Sequence, residues 1–156
     1  NVYGTRSRTN SAYGAALGVF LKQKILNKPF TIVGNGNQTR DFIYVSDVCN
    51  AFYKALNKKL SNQKFNIGYG KPRKVNEMVR IIRGPKTYLP KRPGEPDCTH
   101  ADISKAKKLL SWKPKVTLEK GLNIVIKNIS YWKDAPLWTP KKIKLATKDW
   151  FKYIKK

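Results

Sequence analysis

The stretch Gly34-Asn35-Gly36-Asn37-Gln38-Thr39-Arg40-Asp41-Phe42-Ile43-Tyr44-Val45 constrains this chain most, because it sets a turn, one arginine and an apolar run in fixed succession. Gly34 and Gly36 accept a positive φ, and Asn35 and Asn37 tolerate one, so a strand ending at Ile32-Val33 turns back tightly here. Phe42 to Val45 is aromatic and β-branched, the composition of a buried strand. Arg40 falls at the hinge between turn and strand, where a rigid scaffold can aim its planar fork at two oxygens of an anion. A lysine cannot match that geometry. The plainer alternative is an arginine paired with Asp41 or a loop carbonyl, and from these residues alone it is the preferred one.

Around this stretch the hydrophobic spacing predicts alternating short strands and helices. Asn1 to Ala16 reads as a loop carrying Arg6 and Arg8. Leu17, Phe20, Leu21 and Ile25 share a helical face that Asn27-Lys28-Pro29 ends. Phe30 to Val33 is a strand. Ser46 is the expected N-cap of a helix with the stripe Val48, Ala51, Phe52, Ala55 and Leu56, and Cys49 is expected in its core face. Phe65-Asn66-Ile67 reads as a strand closed by Gly68 and Gly70, and Val75 to Ile82 as a helix whose start lacks a Ser or Thr cap. The stripes at Val48–Leu56 and Val75–Ile82 are expected to pack on a sheet outside the chain. Thr87 to Leu89 reads as a strand and Ala101 to Leu110 as a helix. Thr117 caps a longer helix reaching Trp132, and Ile143, Ala146, Trp150 and Ile154 trace one amphipathic helix. The class is α/β.

With 156 residues the chain is expected to form one domain. Its net charge of +24 raises nucleic acid as a partner. Yet the basic residues form only doublets, such as Lys58-Lys59, Lys107-Lys108, Lys141-Lys142 and Lys155-Lys156. A bias toward Lys, Asn and Ile accounts for the charge without a nucleic-acid partner. Cys49 and Cys98 form no metal-like cluster with His100, the single histidine. No apolar run approaches the roughly 20 residues of a membrane span. A cytoplasmic protein with reduced thiols and no membrane association is expected. Asn1 is not methionine, and Asn1-Val2-Tyr3-Gly4 reads as the end of a strand, so the natural protein is expected to extend upstream.

Four separated stretches resemble the C-terminal part of the extended short-chain dehydrogenase/reductase enzymes that modify nucleotide sugars, the UDP-glucose 4-epimerase and dTDP-glucose 4,6-dehydratase-like family. They are Asn1-Val2-Tyr3-Gly4; Gln38 to Val48; Phe65-Asn66-Ile67-Gly68; and Lys91-Arg92-Pro93-Gly94-Glu95-Pro96. The last is followed by Ala101-Asp102, Lys105-Ala106 and Leu110-Ser111-Trp112. Their order and spacing resemble the family over about four fifths of the chain. Thr5, Asn35 and Ser111 depart from the family's usual residues.

The resemblance implies an NAD(P)-binding Rossmann-type fold of which this chain is the substrate-binding part, made of mixed short strands and helices. Residues 1–134 would hold the substrate portion with the last elements of the Rossmann-type domain, and 135–156 a C-terminal extension. It implies NAD as cofactor, a nucleotide-diphosphate sugar as ligand and a homodimer for the full-length enzyme. In the family a tyrosine takes a hydroxyl proton while NAD accepts hydride, giving a keto sugar that an epimerase reduces again or a dehydratase dehydrates. The glycine fingerprint and the Tyr-x-x-x-Lys pair would lie upstream, since no tyrosine here has a lysine four residues on. The chain therefore carries no catalytic candidate of its own. By resemblance Asn1 contacts the nucleotide sugar, Arg40 and Arg92 bind its phosphates, Glu95 sits near the ribose or the arginines, and Asn66 touches the substrate. Val19 and Phe20 either line a base pocket or belong to the core. A non-catalytic module binding nucleotide sugars or polyanions, and a basic nucleic-acid-binding protein, are the alternatives.

Overall fold

The reversal at Gly34-Asn35-Gly36 forms as its residues dictate. Both glycines adopt a positive φ, 68° and 75°, and Asn37 N donates to Asn35 Oδ1 at 2.9 Å. A side chain at Gly36 would also collide with the Asn76 amide. That amide is itself used, since Asn76 Nδ2 donates to the Asn35 carbonyl at 3.0 Å. The computed structural model containing this turn describes residues 1–7 and 16–154. Arg8, the rest of the 8–15 loop expectation and the Lys155-Lys156 doublet lie outside the described residues.

The strands are short and pair in three patches. β1 (Val2–Tyr3) runs parallel to β4 (Ile43–Tyr44), and β2 (Phe30–Val33) runs parallel to β6 (Lys86–Leu89), with Phe30 opposite Lys86. Between them β3 (Thr39–Arg40) pairs antiparallel with β5 (Arg73–Lys74). The helices are α1 (Ala16–Ile25), α2 (Val45–Leu56), α3 (Val75–Ile82), α4 (Ser104–Leu110), α5 (Leu118–Lys127), α6 (Pro140–Ala146) and α7 (Lys148–Tyr153). A 3-10 turn at Ile129–Trp132 continues α5.

Two clusters make the core. The larger joins α1, α3, α5 and β2 around Phe20, Phe30, Met78, Leu122 and Trp132. The smaller joins α2 and α4 around Ile43, Ala51, Ala106 and Trp112. Trp112 is an anchor of that second cluster, fully buried with Nε1 donating to the Asp47 carbonyl at 3.0 Å. Burying a tryptophan this completely while pairing its N–H removes the polar penalty that would otherwise offset the gain.

Several sequence expectations change at this level. Phe65–Ile67 is not a strand. The loop following it instead sends the backbone N–H groups of Tyr69 and Gly70 to the Asp41 carboxylate, a substitute for a ladder partner. Ser46 is not the cap of α2. The helix begins at Val45, and Asp47, buried, turns its carboxylate to the backbone N–H groups of Lys115 and Val116 at 3.0 and 2.9 Å. Cys49 is exposed, not in the core. The stripe of α3 is buried within the chain itself, because α5 and β2 supply the surface it packs on. On α2 the expected stripe divides: Ala51, with Val48 and Ala55, packs into the second cluster within the chain, whereas Phe52 and Leu56 are exposed. The final helix is two, broken at Thr147, which is buried and returns its hydroxyl to the Ile143 carbonyl.

Helix starts follow local chemistry. Thr117 accepts from Lys120 N at 3.2 Å, the expected cap of α5. At α3, Glu77 reaches back to Lys74 N at 3.0 Å, which satisfies one end without a Ser or Thr. Arg73 then bridges Glu77 and Glu119, each at 2.6 Å, and ties α3 to α5. The Lys74 N–H and Arg73 hold the Glu77 carboxyl below its ordinary range, and Arg73 does the same for Glu119. Lowered carboxylate pKa values contribute stability that is present above the ordinary glutamate range and lost as pH falls through the folded values. Acid unfolding of Arg73→Met should therefore begin at higher pH than that of the parent chain. The two curves should converge below the glutamate range, and curves identical throughout would refute the bridge as a stabilising element.

Candidate functional site

Arg40 leaves β3 toward the interior because its neighbours are pinned. Thr39 N donates to the Asp97 carbonyl at 2.8 Å, and the antiparallel pairing with Arg73 fixes the strand direction. The next residue, Asp41, is buried and accepts from Tyr69 N, Gly70 N and Ala101 N at 2.9–3.1 Å. Asp41 is thus occupied by backbone. Arg40 does not pair with Asp41, and of the plainer alternatives a backbone carbonyl, that of Thr39, is the one it takes.

Arg40 instead reaches the loop after β6. Its Nη2 lies 3.0 Å from Glu95 Oε1, with side chains only 12% and 21% exposed, and its Nη1 donates to the Thr39 carbonyl at 2.8 Å. From the same loop Arg92 lies over the Trp150 ring, 5.8 Å from its centroid. Asn1, Arg40, Arg92 and Glu95 together line one cavity of about 310 Å³. That is the lower end of the range, about 300–1,000 Å³, typical of small-molecule sites. Its other wall is apolar and comes from α1, β2 and α3, with Val19, Phe20, Val33 and Met78. Val19 and Phe20 therefore line this cavity, and Phe20 belongs also to the core.

Asn66 is placed elsewhere. It borders a separate depression with Asp41, Thr99 and His100, and only Asn1 lines both spaces. Asn1 Nδ2 donates to Thr99 Oγ1 at 3.1 Å, between the two. Of the five residues singled out by the resemblance, Asn1, Arg40, Arg92 and Glu95 line one cavity and Asn66 does not. Asp41, which holds Tyr69 and Gly70, lines that same depression beside Asn66.

The charge balance of the cavity is two guanidinium groups against one carboxylate. Glu95 Oε2 is buried with no hydrogen-bond partner. An apolar slot ending in two arginines suits a ligand with a flat apolar part and a doubly charged anion. Tyr3, the tyrosine that borders it, is buried, and burial pushes its phenol well above the ordinary tyrosine range. Among the described residues there is no cluster of His, Cys, Asp and Glu able to hold a metal. No helix among them is long and apolar enough to cross a membrane.

Gln38, Trp138, Ile143 and Trp150 are among the residues of this cavity that sequence reading missed. Gln38, whose Nε2 donates to the Val33 carbonyl at 2.7 Å, stands two places before Arg40 and could have been found by strand alternation. Trp138, Ile143 and Trp150 come from the C-terminal segment, and no local signal says that this segment folds back.

The arrangement has relatives. Residues 1–68 match the NAD dependent epimerase/dehydratase family. The chain is 41% identical over 132 residues to a putative UDP-glucose 4-epimerase of Methanocaldococcus jannaschii, covering 81% of this chain and 42% of that protein. It is 34% identical to UDP-glucuronic acid decarboxylase 1 of Danio rerio, covering 83% of this chain and 32% of that one. Among solved structures it is similar to UDP-glucuronic acid 4-epimerase from Bacillus cereus in complex with UDP-glucuronic acid and NAD. That likeness has a TM-score of 0.76 at 35% identity and covers 83% of this chain and 43% of the epimerase. The chain is thus related to NAD-dependent nucleotide-sugar epimerases and decarboxylases, and it spans about two fifths of the length of the first curated relatives it matches.

Proposed function

We propose that this chain is the nucleotide-sugar-binding part of an NAD-dependent epimerase or dehydratase, a substrate portion (1–134) followed by an extension (135–156). The observation that carries the reading is that Arg40 and Arg92, far apart in sequence, line one cavity whose opposite wall is apolar. A nucleoside diphosphate sugar presents the matching pattern: a flat base for the apolar wall and two phosphates for two forks. Asn1 closes the end nearest Thr99, where the sugar would lie.

The residues present do not make a dinucleotide site. Gly34-Asn35-Gly36 follows a strand, β2, but leads into β3 and not into a helix N-terminus. The oriented N–H groups that hold a pyrophosphate in a dinucleotide fold are therefore missing from this turn. In the reading proposed here NAD is held, and the hydride and proton steps are carried out, by residues beyond these 156, and the full-length enzyme acts as a homodimer. The role of this chain is to hold the nucleotide by its phosphates and base so that the sugar end is left exposed.

Calorimetric titration tests this directly. UDP-glucose or UDP-glucuronic acid should bind the chain, and free pyrophosphate should compete. The chain by itself should neither bind NAD tightly nor convert either sugar, read by NADH absorbance and by sugar analysis. Absence of any UDP-sugar binding would overturn the assignment of the cavity, and turnover by the chain alone would overturn the division of labour.

A further inference from the structure

The C-terminal segment runs past the cavity from the α1 side to the loop that carries Arg92, and it is fixed near both ends. At its root Trp132 is fully buried, and Lys22 Nζ donates to the Lys133 carbonyl. Gln23, buried on α1, donates its Nε2 to the Trp138 carbonyl at 3.0 Å and to Thr31 Oγ1 at 2.9 Å, which ties the start of the segment to α1 and β2. At the far end Trp150 Nε1 donates to the Pro93 carbonyl at 2.6 Å, and Arg92 lies over the same indole. Ile154 packs so closely there that a side chain at Gly94 would press on it.

Between these fixings the segment contributes little to the core. α6 and α7 bury no residue of their own, and the buried residue between them is Thr147. Lys141, Lys142, Lys144, Lys148 and Lys152 stand exposed along it. The large apolar side chains Trp138, Ile143 and Trp150 are half-buried, and all three line the cavity. Their burial is completed by whatever fills that space. An element with few buried contacts opens at a free energy far below that of global unfolding. A ligand touching both the body and the segment favours the closed state by the contacts it makes there.

We propose that residues 135–154 are a strap that closes over the ligand of this cavity, hinged near Trp138 and latched at Trp150, with Trp150 positioning Arg92 in the closed state. Stacking on the indole engages the flat face of a guanidinium and leaves its in-plane N–H groups for an anion. Latch and ligand therefore do not compete for Arg92, and docking of one favours docking of the other. The inference rests on the nucleotide-sugar reading and adds to it how the ligand enters and is retained.

Limited tryptic digestion of the chain, followed by mass spectrometry, reads the strap through cleavage after its five exposed lysines. Saturating UDP-glucose should slow cleavage there about fivefold, because cleavage tracks the open population. Trp150→Ala should be cleaved faster without ligand and should lose about tenfold in UDP-glucose affinity. Its dissociation rate should rise while its association rate does not fall, since entry no longer waits for the latch. A purely structural residue would instead lower the urea midpoint, which Trp150→Ala should leave in place. Trp150→Phe, which keeps a ring and removes the donor to Pro93, should fall between the two. Unchanged cleavage of the parent, when calorimetry shows UDP-glucose bound, overturns the strap and leaves the nucleotide-sugar reading standing. Parent-like cleavage and binding rates in Trp150→Ala overturn it as well. If UDP-glucose does not bind the parent at all, the nucleotide-sugar reading is refuted, and this inference with it.

Discussion

Replacing Asp41 with alanine should lower the stability of the chain by about 3 kcal/mol or more, read as a shift of the urea midpoint. The carboxylate is buried and accepts from three backbone N–H groups, those of Tyr69, Gly70 and Ala101. Removing it leaves three partly buried donors unpaired, each costing about 1–3 kcal/mol where water cannot replace the acceptor. Asparagine should recover little, since one of its two polar atoms is a donor facing donors. The effect should also reach the site, because Asp41 follows Arg40 directly and joins β3 to the loop carrying Asn66. Asp134→Ala, at an exposed carboxylate, is the control and should change little. A loss below about 1 kcal/mol for Asp41→Ala would mean that the loop finds other acceptors and that the carboxylate does not organise it.

The second large effect is expected at the arginines. In the intact enzyme, Arg40→Lys and Arg92→Lys should each weaken nucleotide-sugar binding by about tenfold or more, equivalent to about 1.4 kcal/mol, with NAD affinity unchanged. Each change keeps the charge and removes the fork, so a purely electrostatic role would show almost no loss. The two sites differ in how they are prepared. Arg40 is held by Glu95 and the Thr39 carbonyl, and its geometry is set before ligand arrives. Arg92 lies over Trp150, a contact that a lysine retains only as a point charge. Arg92→Lys should therefore also loosen the C-terminal segment, visible as altered tryptophan fluorescence, whereas Arg40→Lys should not. Undiminished affinity in both variants would return the two arginines to ordinary surface roles.

Much of the scaffold was legible because its signals are local. The positive-φ glycines Gly34 and Gly36 dictate the turn, hydrophobic spacing places α1 and α3, and Thr117 announces the start of α5. The candidates Arg40, Arg92, Glu95 and Asn1 came from the resemblance, and the fold brings these four to one cavity. The misreadings share a cause. Cys49, Ser46 and Phe65–Ile67 were judged by residue type, whereas exposure, capping and strand pairing depend on what a distant segment offers.

What the amino-acid sequence determined by itself is therefore the order of elements, the turn, the helix faces and the family relation. What the tertiary structure decided is who pairs with whom. Asp41 and Asp47 both spend their carboxylates on backbone from remote loops, which leaves Arg40 free of its neighbour and available to Glu95. Trp138 and Trp150 read as an appended tail until Gln23 and Pro93 hold them against the cavity. The physical reason is that a buried polar group must find a partner wherever the fold can bring one, and sequence distance plays no part in that choice.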